Sequence, residues 1–167
     1  DQENGADRYH GAGGPLSVTD LTERNPLCDA FIAAAGALGI PRNDDFNGVR
    51  QEGAGYFQAT VRRGRRASAA TAYLRPALRR PNLVVVTHAL AERILLSGRR
   101  ASGVRFVRDG VHMEAKARRE VILSAGSVKS PHLLMLSGIG DGEALGRHGI
   151  GTVHHLPGVG QNLHDHY

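Results

Sequence analysis

The segment RREVILSAGSVKSPHLLMLSGIG, Arg118 to Gly140, passes from an apolar run through small residues into a capped helix pattern. Val121-Ile122-Leu123 has the composition of a short buried strand. It leads to Ala125-Gly126-Ser127, where side chains shrink and a backbone or ligand can come close. Ser130-Pro131 then predicts an N-cap and a first-turn proline, followed by Leu133, Leu134 and Leu136 on a short helix. Ser137-Gly138-Ile139-Gly140 predicts its stop. Strand, small residues and capped helix in that order are how an α/β sheet offers a crevice to a nucleotide. The strand and small residues alone would fit any βα connection; the whole run is more specific.

Upstream, Leu83-Val84-Val85-Val86-Thr87 predicts a second buried strand. Between the two, Leu90–Leu96, Gly103–Val107 and Val111–Ala117 read as short strands divided by Ser97-Gly98 and Asp109-Gly110. Those turns suit an antiparallel meander. Nearer the N-terminus, residues 1–17 read as an extended surface stretch. Asn25-Pro26 marks a helix start, and Leu27, Phe31, Ala34, Ala35 and Leu38 follow at helical spacing. A strand over Tyr56–Val61 and an alanine-rich helix over Ala67–Leu78, shortened by Pro76, come next. Gly142–His148 predicts a short helix and Thr152–His155 a short strand. The expected class is a mixed α/β fold.

The 167 residues suffice for one domain with a core. No apolar run approaches the roughly 18–20 residues needed to cross a bilayer. The single cysteine, Cys28, excludes an internal disulfide framework and is expected to pack as a small apolar residue. Nineteen of the 21 cationic residues are arginine, and Arg62-Arg63-Gly64-Arg65-Arg66 is the densest cluster. Only 5% of residues are aromatic, too few for a base-stacking platform, so the reading is an Arg-rich solvated surface without nucleic acid. His154, His155, His164 and His166 with Asp165 invite a metal. Pro157, Gly158 and Gly160 make that region a loop, and no paired cysteines support a metal site. Neither a phosphate loop nor a nucleophile elbow fits the serines and glycines here.

Taken together, Gly126-Ser127, Ser130-Pro131, Leu133-Leu134 and Ser137-Gly138-Ile139-Gly140 resemble the second signature of the glucose–methanol–choline (GMC) flavoprotein oxidoreductases. Asp45-Phe46-Asn47-Gly48 with Gln51-Glu52-Gly53-Ala54-Gly55 resembles the family's DFNG…QEGxG stretch. Arg63–Ser68 with Ala72-Tyr73-Leu74 is similar to its GxRxS…AYL segment. Pro81-Asn82-Leu83 through Arg93-Ile94 resembles its PNLxVxTxAxxxRI pair, and Leu156–His166 its LPGVGxNLxDH loop. The likeness is greatest to the choline-dehydrogenase-like branch.

This resemblance implies part of an FAD/NAD(P)-binding Rossmann-like domain with a β-meander, interleaved with part of a substrate-binding domain. Residues 1–80 are expected on the substrate side and 81–167 in the FAD-binding segment. The implied reaction oxidises a primary alcohol to an aldehyde, with hydride passing to FAD and a histidine taking the hydroxyl proton. The family's G-x-G-x-x-G turn has no counterpart in the sequence, because Gly11-Ala12-Gly13-Gly14 follows no apolar strand. Its catalytic histidine is expected beyond Tyr167, so no catalytic residue is assigned and the chain reads as an internal piece of a longer enzyme, inactive alone. Cofactor contacts are expected at Ala91, placed by the resemblance as a backbone contact to adenine, and at Ala125 and Gly126, where missing side chains give room. The plainer readings are a small strand residue and tight helix–strand packing. Asn162, Leu163, Asp165 and His166 are expected to be structural residues near the flavin. Two other functions remain open, a flavin-containing lyase of the same family and a non-catalytic basic interaction domain. The particular alcohol, the electron acceptor and the compartment are not readable.

Overall fold

A computed structural model describes residues 1–165, which form two compact units that divide after residue 85. His166 lies outside the described residues.

The first unit is mostly loop. Its helix α1 spans Pro26–Ala37, and the Asn25 side chain caps it by accepting from the Leu27 N–H at 2.9 Å. Asn25-Pro26 therefore starts the helix as expected. The apolar stripe of α1 faces outward, however; Phe31 is 71% exposed and only Ala35 on this helix is buried. Asn43 organises the loop that follows. It is buried, donates from Nδ2 to the carbonyls of Arg50 (2.9 Å) and Glu52 (3.1 Å), and accepts the Asp45 N–H at Oδ1 (2.8 Å). Its backbone N–H also donates to the Ala54 carbonyl at 3.0 Å. One side chain thus gathers both halves of the 43–55 loop. Phe46 stacks on Phe57 with ring centroids 4.5 Å apart.

The expected strand over Tyr56–Val61 is reduced to a bridge between Thr19 and Ala59 and a two-residue strand, β1, Val61–Arg62. β1 pairs antiparallel with β2, Arg65–Arg66, across the turn Arg63-Gly64. Both turn residues take positive φ, 51° and 69°, the mirror-image geometry that matches strand twist in tight hairpins. For arginine this backbone costs about 1 kcal/mol. The alanine-rich helix is shorter than its pattern and irregular. It runs as a π-helical turn, Ala70–Leu74, into α2, Arg75–Ala77. Pro76 lacks an N–H and crowds the carbonyl four residues back, which explains the widened turn before it.

The second unit contains the expected meander. β3 (Ala89–Ser97), β4 (Arg100–Arg108) and β5 (Val111–Lys116) form one antiparallel sheet in that order. Asp109-Gly110 makes the second turn with φ of 51° and 77°. The ladder between β3 and β4 shifts twice, between Ala91 and Arg93 and between Leu95 and Leu96. Helix α3 spans Gly126–Leu136, and Ser137 links it to the sheet. The Ser137 hydroxyl accepts the Ile94 N–H at 2.8 Å and donates to the Leu133 carbonyl at 2.6 Å. Ile94, Leu133 and Ser137 are all buried. Gly138 ends the helix at φ 82°, and a Cβ there would lie 2.5 Å from the Gly151 oxygen and 2.9 Å from Val153 Cγ2. The chain continues as β6, Ile139–Gly140, then α4, Gly142–Arg147, capped by Asp141 through the Glu143 and Ala144 N–H groups. β7, His154–His155, returns parallel to β6.

Four expectations need correction, one of them Cys28, which is exposed and not packed. Residues 83–87 and 121–124 form no strand, and Val84 and Ile122 are 82% and 78% exposed. Both runs have strand composition, but no described residue offers them a ladder, and a strand exists only with a partner. Helix α3 begins at Gly126, not after a Ser130 cap. The Ser130 hydroxyl instead accepts the Ala125 N–H at 3.1 Å, and Pro131 sits inside the helix.

Candidate functional site

The second unit holds an open cleft of about 630 Å³ between β3 and α3. Ala89, Leu90, Ala91 and Glu92 come from the strand; Ala125 lies at the helix start; Lys129, His132, Leu133 and Leu136 come from the helix. The sequence separates Ala91 from Ala125 by two full strands, and the fold sets both on one cleft. Gly126 follows Ala125 as the first helical residue, at φ 83°. A Cβ on Gly126 would meet nothing within 4 Å, so space is free there while the backbone demands glycine.

The strand side of the cleft is irregular at its key point. Ala91 pairs with Phe106 and Arg93 with Arg105, which leaves Glu92 as an extra residue in β3. Bulges of this kind re-aim side chains and interrupt pairing, and they concentrate near binding sites. The Glu92 carboxylate reaches His112 Nδ1 on β5 at 3.0 Å. On the helix side, Lys129, His132, Leu133 and Leu136 follow the three- and four-residue spacing of one helical face. The cleft therefore combines alanine-lined room, an apolar back wall, and a cation, an imidazole and a carboxylate. Such a site suits a flat, partly polar group with hydrogen-bonding edges.

Sequence reading did not find Lys129, His132, Glu92 or the linking role of Ser137. The spacing from Lys129 to Leu136 was a usable signal, but a helix begun at Ser130 leaves Lys129 outside it. The bulge at Glu92 depends on pairing with β4 and has no local signature.

In the loop after Gly140, the Asp141 carboxyl is held below its ordinary value, chiefly by the Ala144 N–H and also by that of Glu143. His155 Nδ1 accepts the Gly142 N–H at 3.0 Å, a structural task. Among the described residues no three His, Cys, Asp or Glu side chains gather as metal ligands. The first unit has its own polar hollow of about 210 Å³, lined by Asp20, Leu21, Arg24, Arg42, Asp44 and Tyr56 with Phe57. The Tyr56 hydroxyl donates to Asp29 at 2.9 Å, and burial, then that hydrogen bond, raises its pKa.

Comparison with known proteins gives a consistent answer. A family model described as GMC oxidoreductase matches residues 2–167. The chain is 51% identical over 164 residues to the mitochondrial choline dehydrogenase of Homo sapiens, covering 98% of this chain and 28% of that protein. It is 52% identical to an oxygen-dependent choline dehydrogenase of Burkholderia thailandensis, covering 97% and 29%. Among solved structures, pyridoxine 4-oxidase from Mesorbium loti superposes with a TM-score of 0.87 at 36% identity, covering 94% of this chain and 31% of that one. Formate oxidase from Aspergillus oryzae gives 0.84 at 32%, covering 93% and 27%. The chain thus spans under a third of the length of the relatives it matches.

Proposed function

The chain belongs to the GMC oxidoreductase family, and from that premise we propose that it builds the adenosine side of an FAD site in an enzyme oxidising a primary alcohol to an aldehyde. When bound, FAD supplies the acceptor for the two electrons and the hydrogen that leave the alcohol carbon. The observation that carries the reading is the meeting of Ala91 and Ala125 on one cleft.

The residues present fit an adenosine group. Ala91 and Ala125 leave the walls low, and the bulge at Glu92 interrupts the ladder beside Ala91. Leu133 and Leu136 exclude water from one side and give a flat ring an apolar surface. Lys129 and His132 offer a cation and a ring nitrogen to polar groups of the ligand, and Glu92 adds an acceptor steadied by His112. In this reading, residues 1–80 form the substrate side. No proton-accepting residue is assigned in this chain, so the roles given to it are binding and orientation.

Choline is the first alcohol to test, because the relatives at 51–52% identity are named choline dehydrogenases. The test uses the full-length protein. Anaerobic choline should bleach the flavin. Ala125→Leu and Ala91→Trp should lower flavin content after purification while leaving a cooperative thermal transition. Full flavin occupancy in both variants would remove the cleft from the cofactor site, whatever the substrate proves to be.

A further inference from the structure

The densest charge on the molecule lies in the first unit, and none of it belongs to the proposed adenosine cleft. Arg62, Arg63, Arg65 and Arg66 occupy a six-residue hairpin, Val61 to Arg66, that borders a hollow of about 580 Å³. Pro15, Ala67, Thr71 and Ala72 complete its lining. Among the described residues, no carboxylate stands within 4 Å of any of the four guanidinium groups. Pairing is available to arginines elsewhere: Arg42 meets Asp44 at 2.8 Å and Arg105 meets Glu114 at 2.7 Å.

Two features of the hairpin work against its own stability. Arg62 stands directly opposite Arg65 across the ladder, a like-charge pair that disfavours the strands. Arg63 occupies a left-handed turn position, φ 51°, where asparagine or glycine would sit without strain. Residues kept in strained backbone and unbalanced charge point to a ligand that compensates them. Only Arg66 fills a position of the GxRxS segment, so the other three are not explained by the family pattern.

We propose that this hairpin binds a compact anion carrying two or more phosphate groups, free in solution or presented as a lipid headgroup. Guanidinium forks match phosphate oxygens two at a time, which a divalent or higher anion can exploit across several arginines. The hollow has no aromatic lining, so it offers nothing on which a nucleobase could stack.

Inorganic tripolyphosphate titrated calorimetrically into the full-length, flavin-loaded protein should bind at one site, more weakly as salt rises. Flavin loading ensures that the diphosphate of the cofactor is already placed. Combining Arg62→Ser, Arg63→Ser, Arg65→Ser and Arg66→Ser should weaken binding by about tenfold or more. Arg63→Asn alone should raise the melting temperature, by relieving the turn, while weakening binding severalfold. Phosphatidylcholine vesicles doped with phosphatidylinositol bisphosphate identify the source. Tighter arginine-dependent binding to these than to tripolyphosphate assigns a headgroup, and the reverse order assigns a free anion. No tripolyphosphate binding, unchanged affinity in the fourfold variant, or tighter binding of a single-stranded RNA would each overturn the proposal.

Discussion

Residues 1–85 are tied by polar side chains to backbone groups, whereas residues 86–165 are built on a strand ladder and two helices. Asn43 serves the first unit with bonds to Arg50, Glu52 and Asp45, and His10 sits between Asp7 (2.8 Å) and Asp45 (3.3 Å). In the second unit, three strands of six to nine residues supply the backbone partners, and Ser137 joins helix to sheet. The contrast shows where sensitivity should lie. A loop unit depends on a few donors and acceptors and on their protonation, while a laddered unit depends on close packing at its corners.

The largest effect is expected at such a corner. Gly138→Ala places a methyl 2.5 Å from the Gly151 oxygen on a backbone at φ 82°. It should destabilise the second unit by about 2–4 kcal/mol. Denaturant unfolding followed by amide exchange should show β6 and β7 opening first; wild-type stability would contradict the geometry. Asn43→Ala comes next, at about 1–3 kcal/mol, because it strands the Arg50 and Glu52 carbonyls and the Asp45 N–H. Exchange should accelerate in residues 43–55 and stay unchanged in β3–β5. If β3–β5 loosened equally, the two units would not differ in the way described.

Ser137→Ala should cost about 1–2 kcal/mol, since it leaves the buried Ile94 N–H without its acceptor. Chemical shifts of Ala91 and Lys129 should move together as α3 loosens from β3. The smallest effect is a pH dependence confined to the first unit. The Asp7 hydrogen bond, aided by Asp45, raises the His10 pKa above its usual 6.5. Its stabilising contribution is fully present below the unfolded value and is lost as pH rises through the raised folded value. Asp7, lowered first by the Tyr9 N–H and then by His10, contributes above its usual 3.8 and loses that contribution as pH falls through its depressed value. His10→Gln should flatten the alkaline side of this profile in amide exchange of residues 7–18. An unchanged slope would remove His10 as its source.

What the sequence discloses follows the range of the interactions. Turn chemistry is local, so Asp109-Gly110 and the Ser97-Gly98 turn marked the meander, and Asn25-Pro26 marked α1. Ladder partners are not local, and residues 83–87 and 121–124 read as strands although no described residue pairs with them. Cap rules misplaced the start of α3, because Ser130-Pro131 satisfies the pattern while Gly126 supplies the actual turn into the helix. In the cleft, Ala91, Ala125 and Gly126 could be named from residue size and family likeness. Glu92 could not, since its exposure to the site depends on a shift against β4.

The hairpin of β3 and β4 contains two bulges, one on each strand. Glu92 is an extra residue in one strand and Ser102 an extra residue in the other, where its hydroxyl donates to the Leu95 carbonyl at 3.1 Å. Arg93, Ile94 and Leu95 therefore run one step out of phase with the pairs on either side, like a reading frame shifted and then restored. Removing Glu92 alone, or Ser102 alone, would close one bulge and leave every remaining pair, with the face its side chains occupy, as it stands. Removing both would leave a regular hairpin with the same turn. Each single-residue deletion should thus keep the hairpin folded, since the ladder loses only a residue it does not pair, and amide protection at the remaining pairs should persist.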